Sequence, residues 1–195
     1  MASIAYRRNE THPHPWRVSR TIMLAIFLVS CLQVGLMTLA RAQESRPTVA
    51  LVEIDGTITP AMADYVGRAL SNAADEGYAA ALIEIDTPGG LSSAMDDIVS
   101  DIFASPVPVI VYVAPEGARA ASAGVYITYA AHVAAMAPAT NIGSATPIQI
   151  GAEQSAGDDL TASERKAIND AVADLRSIAE RRDRNAEWAE SAVRE

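Results

Sequence analysis

The chain has 195 residues, half of them hydrophobic, with 15 Lys and Arg against 24 Asp and Glu, a formal net charge of −9. That length admits one domain plus a leader, or two small domains. The acidic balance excludes a nucleic-acid partner, which would need a basic stripe. A single cysteine, Cys31, excludes a disulfide framework and a cysteine-ligated metal.

At the N-terminus Arg7, Arg8, Arg17 and Arg20 precede the apolar run Thr21 to Ala40, "TIMLAIFLVSCLQVGLMTLA", which is followed by Ala40-Arg41-Ala42. A basic start, an apolar middle and a small-x-small site describe a secretory signal cleaved after Ala42. The run is also about 20 residues long, enough for an uncleaved membrane anchor. Leu28-Val29-Ser30-Cys31 resembles a lipoprotein box, although apolar residues continue past Cys31. All three readings make residues 1–42 a signal or anchor and send residues 43–195 out of the cytoplasm. The leader holds five arginines and one glutamate, net +4, so the total of −9 leaves −13 on the body. The body also holds one histidine, His132, and one lysine, Lys166, beside nine arginines. Base chemistry above the carboxylate range therefore has few residues to draw on.

Within the body the apolar runs "TVALVEI" (48–54), "AAALIEI" (79–85) and "VPVIVYV" (107–113) read as strands. Their continuous apolarity predicts helices on both faces. Thr59-Pro60 supplies an N-cap and a first-turn proline, and Met62, Tyr65, Val66, Ala69, Leu70 and Ala73 keep helical spacing up to Gly77. Met95, Ile98, Val99, Ile102 and Phe103 form a second such stripe. Alternation of strand and helix predicts an α/β layer fold. A loop (114–121) and a helix from near Ser122 follow, then a short strand in "HVAAMAP" and a loop from Gly143 to Gly157. A final helical region starts near Thr161 or Ser163, with Ile168, Val172, Leu175 and Ala179 on one side. The chain stops at Val193-Arg194-Glu195 without a stop signal, so the domain is expected to be incomplete at its C-terminus.

Chemistry concentrates in a few places. Ser122 sits in "GARAASAGVYI" at an expected strand-to-helix bend, where a hydroxyl is raised clear of the backbone above a helix N-terminus. A plain helix cap explains the same serine, and local sequence alone favours it. "DTPGGL" (86–91) closes the second strand, where two glycines can present amides to a developing oxyanion, or simply make a Pro-Gly turn into a helix capped by Ser92 or Ser93. His132 is ten residues past Ser122, roughly 15 Å if that interval is helical, too far for a hydrogen bond. It reads as structural, and one histidine without cysteines makes a poor metal site. Lys166 is either a general base, if desolvation keeps its amine neutral, or a solvated helix lysine. Counting 100° per residue, it lies about 160° from its own helix's apolar stripe, which favours solvent.

Taken together, "GxITPAMADYVxRA", "DTPGGL", "SPVPVIVYVAPxGARAASAG", "AAHxAAMAPxTNIG" and "RKAINDAVADLRSIAExRxRNAEWAExAVRE" resemble the N-terminal protease domain of the NfeD family. These are membrane-associated serine proteases related to the Clp protease proteolytic subunit and signal peptide peptidase A. The resemblance covers about Val49 to Glu195. It implies a crotonase-like (Clp protease-like) α/β fold and a Ser-Lys dyad needing no cofactor or metal. It carries the nucleophile onto Ser122, the general base onto Lys166 with Asn169 following in the K-x-x-N pattern, and the oxyanion donors onto Gly89, Gly90 and the amide of Ala123. It also implies apolar segments of membrane proteins as substrates, a stomatin-like partner and homo-oligomers. Ser144 in "NIGSATP" departs from the more usual alanine, and the family's further helix, strand, membrane helices and small β-barrel are not in this sequence. Two other readings stay open: a non-catalytic scaffold for membrane partners, and a crotonase-like enzyme of acyl-CoA thioesters, which export disfavours.

Overall fold

The computed structural model describes residues 20–41, 47–148 and 161–195. Arg7, Arg8 and Arg17, Ala42 of the cleavage triplet, and the 149–157 part of the expected loop lie outside the described residues. The chain divides into a leader unit and a body between Arg46 and Pro47. In the leader, helix α1 (Arg20–Arg41) leaves its apolar side chains from Ile22 to Leu32 exposed. Among the described residues no helix is long and apolar enough to cross a membrane, so the anchor reading rests on the sequence run alone.

The body is built on four parallel strands in the order β1 (Val49–Asp55), β2 (Ala80–Asp86), β3 (Val109–Val113) and β5 (Val133–Met136). Parallel strands need crossovers, and α2 (Pro60–Asp75), α3 (Ser92–Ala104) and α4 (Ala123–Ala130) supply them. As the sequence predicts, Thr59 caps α2, its Oγ1 accepting from Met62 N–H at 3.3 Å, with Pro60 in the first turn. Ala63, Val66, Leu70 and Ala73 face the core. In α3 the buried residues are Ala94, Met95, Ile98, Val99 and Ile102, the expected stripe. Neither Ser92 nor Ser93 caps that helix; Leu91 occupies the cap position without a side-chain bond.

The expectation that every strand is covered on both faces fails at the sheet's edges. β1 alternates, with Val52 and Ile54 buried but Val49 and Leu51 47% and 57% exposed, and all four residues of β5 are exposed. Only the central strands β2 and β3, flanked on each side, have no fully exposed residue. The core gathers Ile54, Ile83, Ile85, Ile98, Ile102, Val111 and Ile127 between sheet and helices.

Two elements escape the sequence reading. A two-stranded parallel ribbon pairs β4 (Arg119–Ala120) with β6 (Asn141–Ile142), each too short to show periodicity. The final helical region is two helices, α5 (Ala162–Arg181) and α6 (Ala186–Arg194), broken where Asp183 adopts a positive φ of 54°. Thr161 opens α5 in a capping box with Glu164, whose carboxyl the Thr161 amide and hydroxyl hold below its usual range. Asn185 opens α6, its Oδ1 accepting from the amides of Glu187 and Trp188. Trp188 then stacks on Tyr129 with ring centroids 5.3 Å apart, tying α6 to α4.

Candidate active site

At the start of α4 the chain leaves β4 and turns at Ser122 with φ 51° and ψ −115°. A β-carbon makes that backbone region costly, about 1–3 kcal/mol. Ser122 occupies the N-cap position, yet its side chain makes no capping bond. The choice left open by the sequence is thereby narrowed: the hydroxyl does not serve the helix. The backbone is instead tied down on both sides, Ala121 N–H donating to Thr87 O at 3.1 Å and Ser122 N–H to Ser144 O at 2.7 Å.

The glycine pair lies directly against this bend. Gly89 has φ 111°, and a Cβ there would stand 2.6 Å from Ser122 Cβ and 3.0 Å from its Oγ. Gly90 bridges to Ile58, with Ile58 N–H donating to Gly89 O and Leu91 N–H to Ile58 O. The two glycine amides differ. Gly89 N–H donates to the buried Thr87 Oγ1 at 3.0 Å, whereas Gly90 N–H and Ala123 N–H have no hydrogen-bond partner among the described residues.

Gly90, Ser122 and Ala123 line one cleft of about 240 Å³, walled by Met95, Tyr126, Ala145 and Pro147 and by Ala167, Asp170, Ala171 and Asp174 of α5. Sequence reasoning missed its carboxylates, Asp96, Asp170 and Asp174. The signal was present: residues 167, 170, 171 and 174 repeat at helical spacing, a second stripe beside the apolar one. Burial, then Asp174 and Asp97, push the Asp96 carboxyl up. Burial, with Asp174 and Asp96, also pushes the Tyr126 hydroxyl to about 12, and it donates to Ala171 O at 3.3 Å. Tyr126 is therefore a fixed donor and no base near neutrality.

Lys166 and Asn169 stand elsewhere. Both are exposed on α5 and absent from the cleft lining, and Asn169 Oδ1 accepts from Arg194 at 3.5 Å. By helical angle Lys166 sits about a quarter-turn from the centre of the cleft-lining stripe. The structure thus brings Ser122, Gly89, Gly90 and Ala123 together and leaves Lys166 and Asn169 outside. Among the described residues no group of metal-binding side chains occurs.

His132 follows the C-terminal end of α4, with Nδ1 accepting from Val109 N–H at 3.1 Å. Partial burial, then the charges of Arg182 and Arg184, hold its imidazole below the ordinary 6.5. The neutral ring is favoured in the fold, so this contribution is complete above pH 6.5 and is lost as pH falls through the lower folded value. Thermal unfolding should show Tm falling on acidification below pH 6.5. The fall should be shallower in His132→Asn, which can accept without titrating.

Residues 48–195 match the family model described as NfeD1b, N-terminal domain. The chain is 39% identical over 158 residues to the membrane-bound protease PH1510 of Pyrococcus horikoshii, covering 81% of this chain and 35% of that relative. It therefore spans about a third of the length of that curated relative. Among solved structures, a serine-to-alanine variant of the 1510-N membrane-bound stomatin-specific protease superposes with a TM-score of 0.70 at 39% identity, covering 77% of this chain and 71% of that one. A lysine-to-alanine variant of the same protease, in complex with a substrate peptide, gives 0.69 at 38%, covering 77% and 67%. ClpP1 of Listeria monocytogenes, at 22% identity and a TM-score of 0.58 over 75% of this chain and 79% of its own, shares the fold. The architecture is thus the Clp protease-like, crotonase-like α/β fold, and the chain belongs to the NfeD1b N-terminal-domain family.

Proposed function

We propose that the chain is a membrane-associated serine endopeptidase, exported by its leader (residues 1–42) and acting through the protease domain of residues 43–195. Its nucleophile is Ser122. The observation that carries the reading is a serine on a strained bend, its hydroxyl unused as a cap, in a cleft with the two unengaged amides of Gly90 and Ala123. Those amides form the oxyanion hole. Gly89, whose own amide is engaged by Thr87, provides the close approach.

In the reaction, Ser122 Oγ attacks the scissile carbonyl carbon while its proton passes to the amine of Lys166. The carbonyl oxygen becomes an oxyanion held by Gly90 and Ala123 N–H. Collapse breaks the C–N bond, and the leaving amine takes the proton from Lys166. Water then attacks the acyl-enzyme, giving a proton to Lys166; collapse breaks the ester C–O bond, Ser122 Oγ takes that proton back, and the acid product leaves. For this the second turn of α5 must bring Lys166 inward past Ala167, which already lines the cleft. Asn169 supports the lysine from the same turn. Similarity to a stomatin-specific protease supports apolar segments of membrane proteins as substrates and a stomatin-like partner. Self-association is part of the same proposal.

The exposed position of Lys166 favours one competing reading, a scaffold that binds membrane partners without cutting them. Incubation of wild type, Ser122→Ala and Lys166→Ala with apolar peptides separates the two. Hydrolysis by wild type alone supports the dyad. Equal hydrolysis by all three removes it, and hydrolysis by none with retained partner binding favours the scaffold.

A further inference from the structure

The segment after β6 both lines the cleft and supports the nucleophile. Ser144 O accepts the Ser122 amide at 2.7 Å, Ala145 is buried and lines the cleft, and Pro147 continues the wall. This segment is held on one side by Gly143 N–H, which donates to Ala120 O at 3.1 Å, and on the other by the last turn of α6. Ala145 N–H donates to Ala192 O at 2.7 Å, and Thr146 Oγ1 donates to Val193 O at 2.9 Å. A carbonyl in the final turn of a helix has no partner within the helix, so both acceptors are ready for an outside donor. Thr146 Oγ1 also lies 3.4 Å from Ser144 Oγ, so this one hydroxyl makes the side-chain links between Ser144 and α6.

From this chain of bonds we infer that Thr146 is a positioning residue for Ser122. Ser122 keeps its unfavourable dihedrals only while its surroundings over-determine them. Its amide is fixed by Ser144, and Ser144 is fixed between Gly143, bonded to Ala120, and the α6 residues that Ala145 and Thr146 grip. The ψ of Ser122 also aims the next amide, that of Ala123. Loosening the Thr146 anchor therefore misdirects the hydroxyl and an oxyanion donor together, while the cleft's Gly90, Met95 and α5 walls stay in place. The loss falls on kcat rather than on KM. This inference rests on the reading of Ser122 as nucleophile, but the bonded chain has a readout independent of catalysis.

The test uses the full chain with Thr146→Val, which keeps the shape and removes the donor, and Thr146→Ser, which restores it. Apolar-peptide hydrolysis gives kcat and KM, amide hydrogen exchange by NMR gives protection at Ser122, and thermal unfolding gives stability. Thr146→Val is expected to lower kcat about tenfold with KM unchanged and to speed Ser122 exchange about tenfold, the size of one hydrogen bond's net contribution. Thr146→Ser should return both to the wild-type values. Unchanged kcat or unchanged Ser122 exchange in Thr146→Val overturns the assignment, as does a serine variant that fails to restore them. Faster exchange spread evenly over the sheet, or a Thr146→Val chain that does not fold while Thr146→Ser does, makes the hydroxyl a general stability element and also overturns it. If wild type cleaves nothing, the protease reading falls, and Ser122 exchange alone decides the positioning role.

Discussion

Replacing Ser122 with glycine should abolish peptide hydrolysis and, at the same time, make the protein more stable. The native dihedrals of φ 51° and ψ −115° are unfavourable for any residue with a Cβ and open to glycine. The side chain lost makes no capping bond, so nothing in the helix is forfeited. Relief of strain works against the greater freedom of glycine in the unfolded chain, which costs about 0.4–1 kcal/mol. A net gain of about 1 kcal/mol is expected. Chemical denaturation should therefore show a midpoint above wild type in Ser122→Gly, and Ser122→Ala, which keeps the strain, should unfold close to wild type. A glycine variant clearly less stable than the alanine variant would mean that the bend is not strained.

The second large effect is expected at Gly90. A Cβ built there would lie 2.1 Å from Ile58 O and 2.6 Å from Ile58 N, both backbone atoms that cannot swing aside. Ile58 is itself fully buried and bonded on both sides of the bridge. Gly90→Ala should cost more than about 3 kcal/mol, beyond ordinary overpacking, and lower both the unfolding midpoint and the yield of folded protein. Gly89→Ala should cost stability as well as activity, because its Cβ would stand 2.6 Å from Ser122 Cβ, which no rotamer change can move, on a backbone with φ of 111°.

Comparison of these sites with the sequence explains what could be read in advance. The stripes of α2 and α3 were legible because one face of each meets a single apolar sheet, so burial follows helical period. The glycine pair was legible because a strand's carboxyl end narrows what two glycines can do. The role of Ser122 on its bend was not, since "AASAG" is compatible with a capped helix and only the missing capping bond separates the two cases. The carboxylates at positions 96, 170 and 174 were hidden because they come together through the packing of α3, α4 and α5, elements distant in sequence. The break between α5 and α6 was marked by Asn185 ahead of Glu187, a cap signal inside what otherwise reads as one helix. Lys166 remains where its spacing put it, away from the apolar side of α5.

Helix α4 is gripped at its far end as well. Arg182 Nε donates to Ala130 O at 2.6 Å, and Arg184 donates to Tyr129 O and Ala131 O at 2.7 and 2.8 Å. Every one of these donors, and the carbonyls of Ala192 and Val193 that seat the other end, comes after residue 161, whereas the sheet is complete by Met136. A chain made from its N-terminus can thus form its scaffold first. Both ends of α4, and with them the bend at Ser122, are fixed only when the closing helices α5 and α6 emerge.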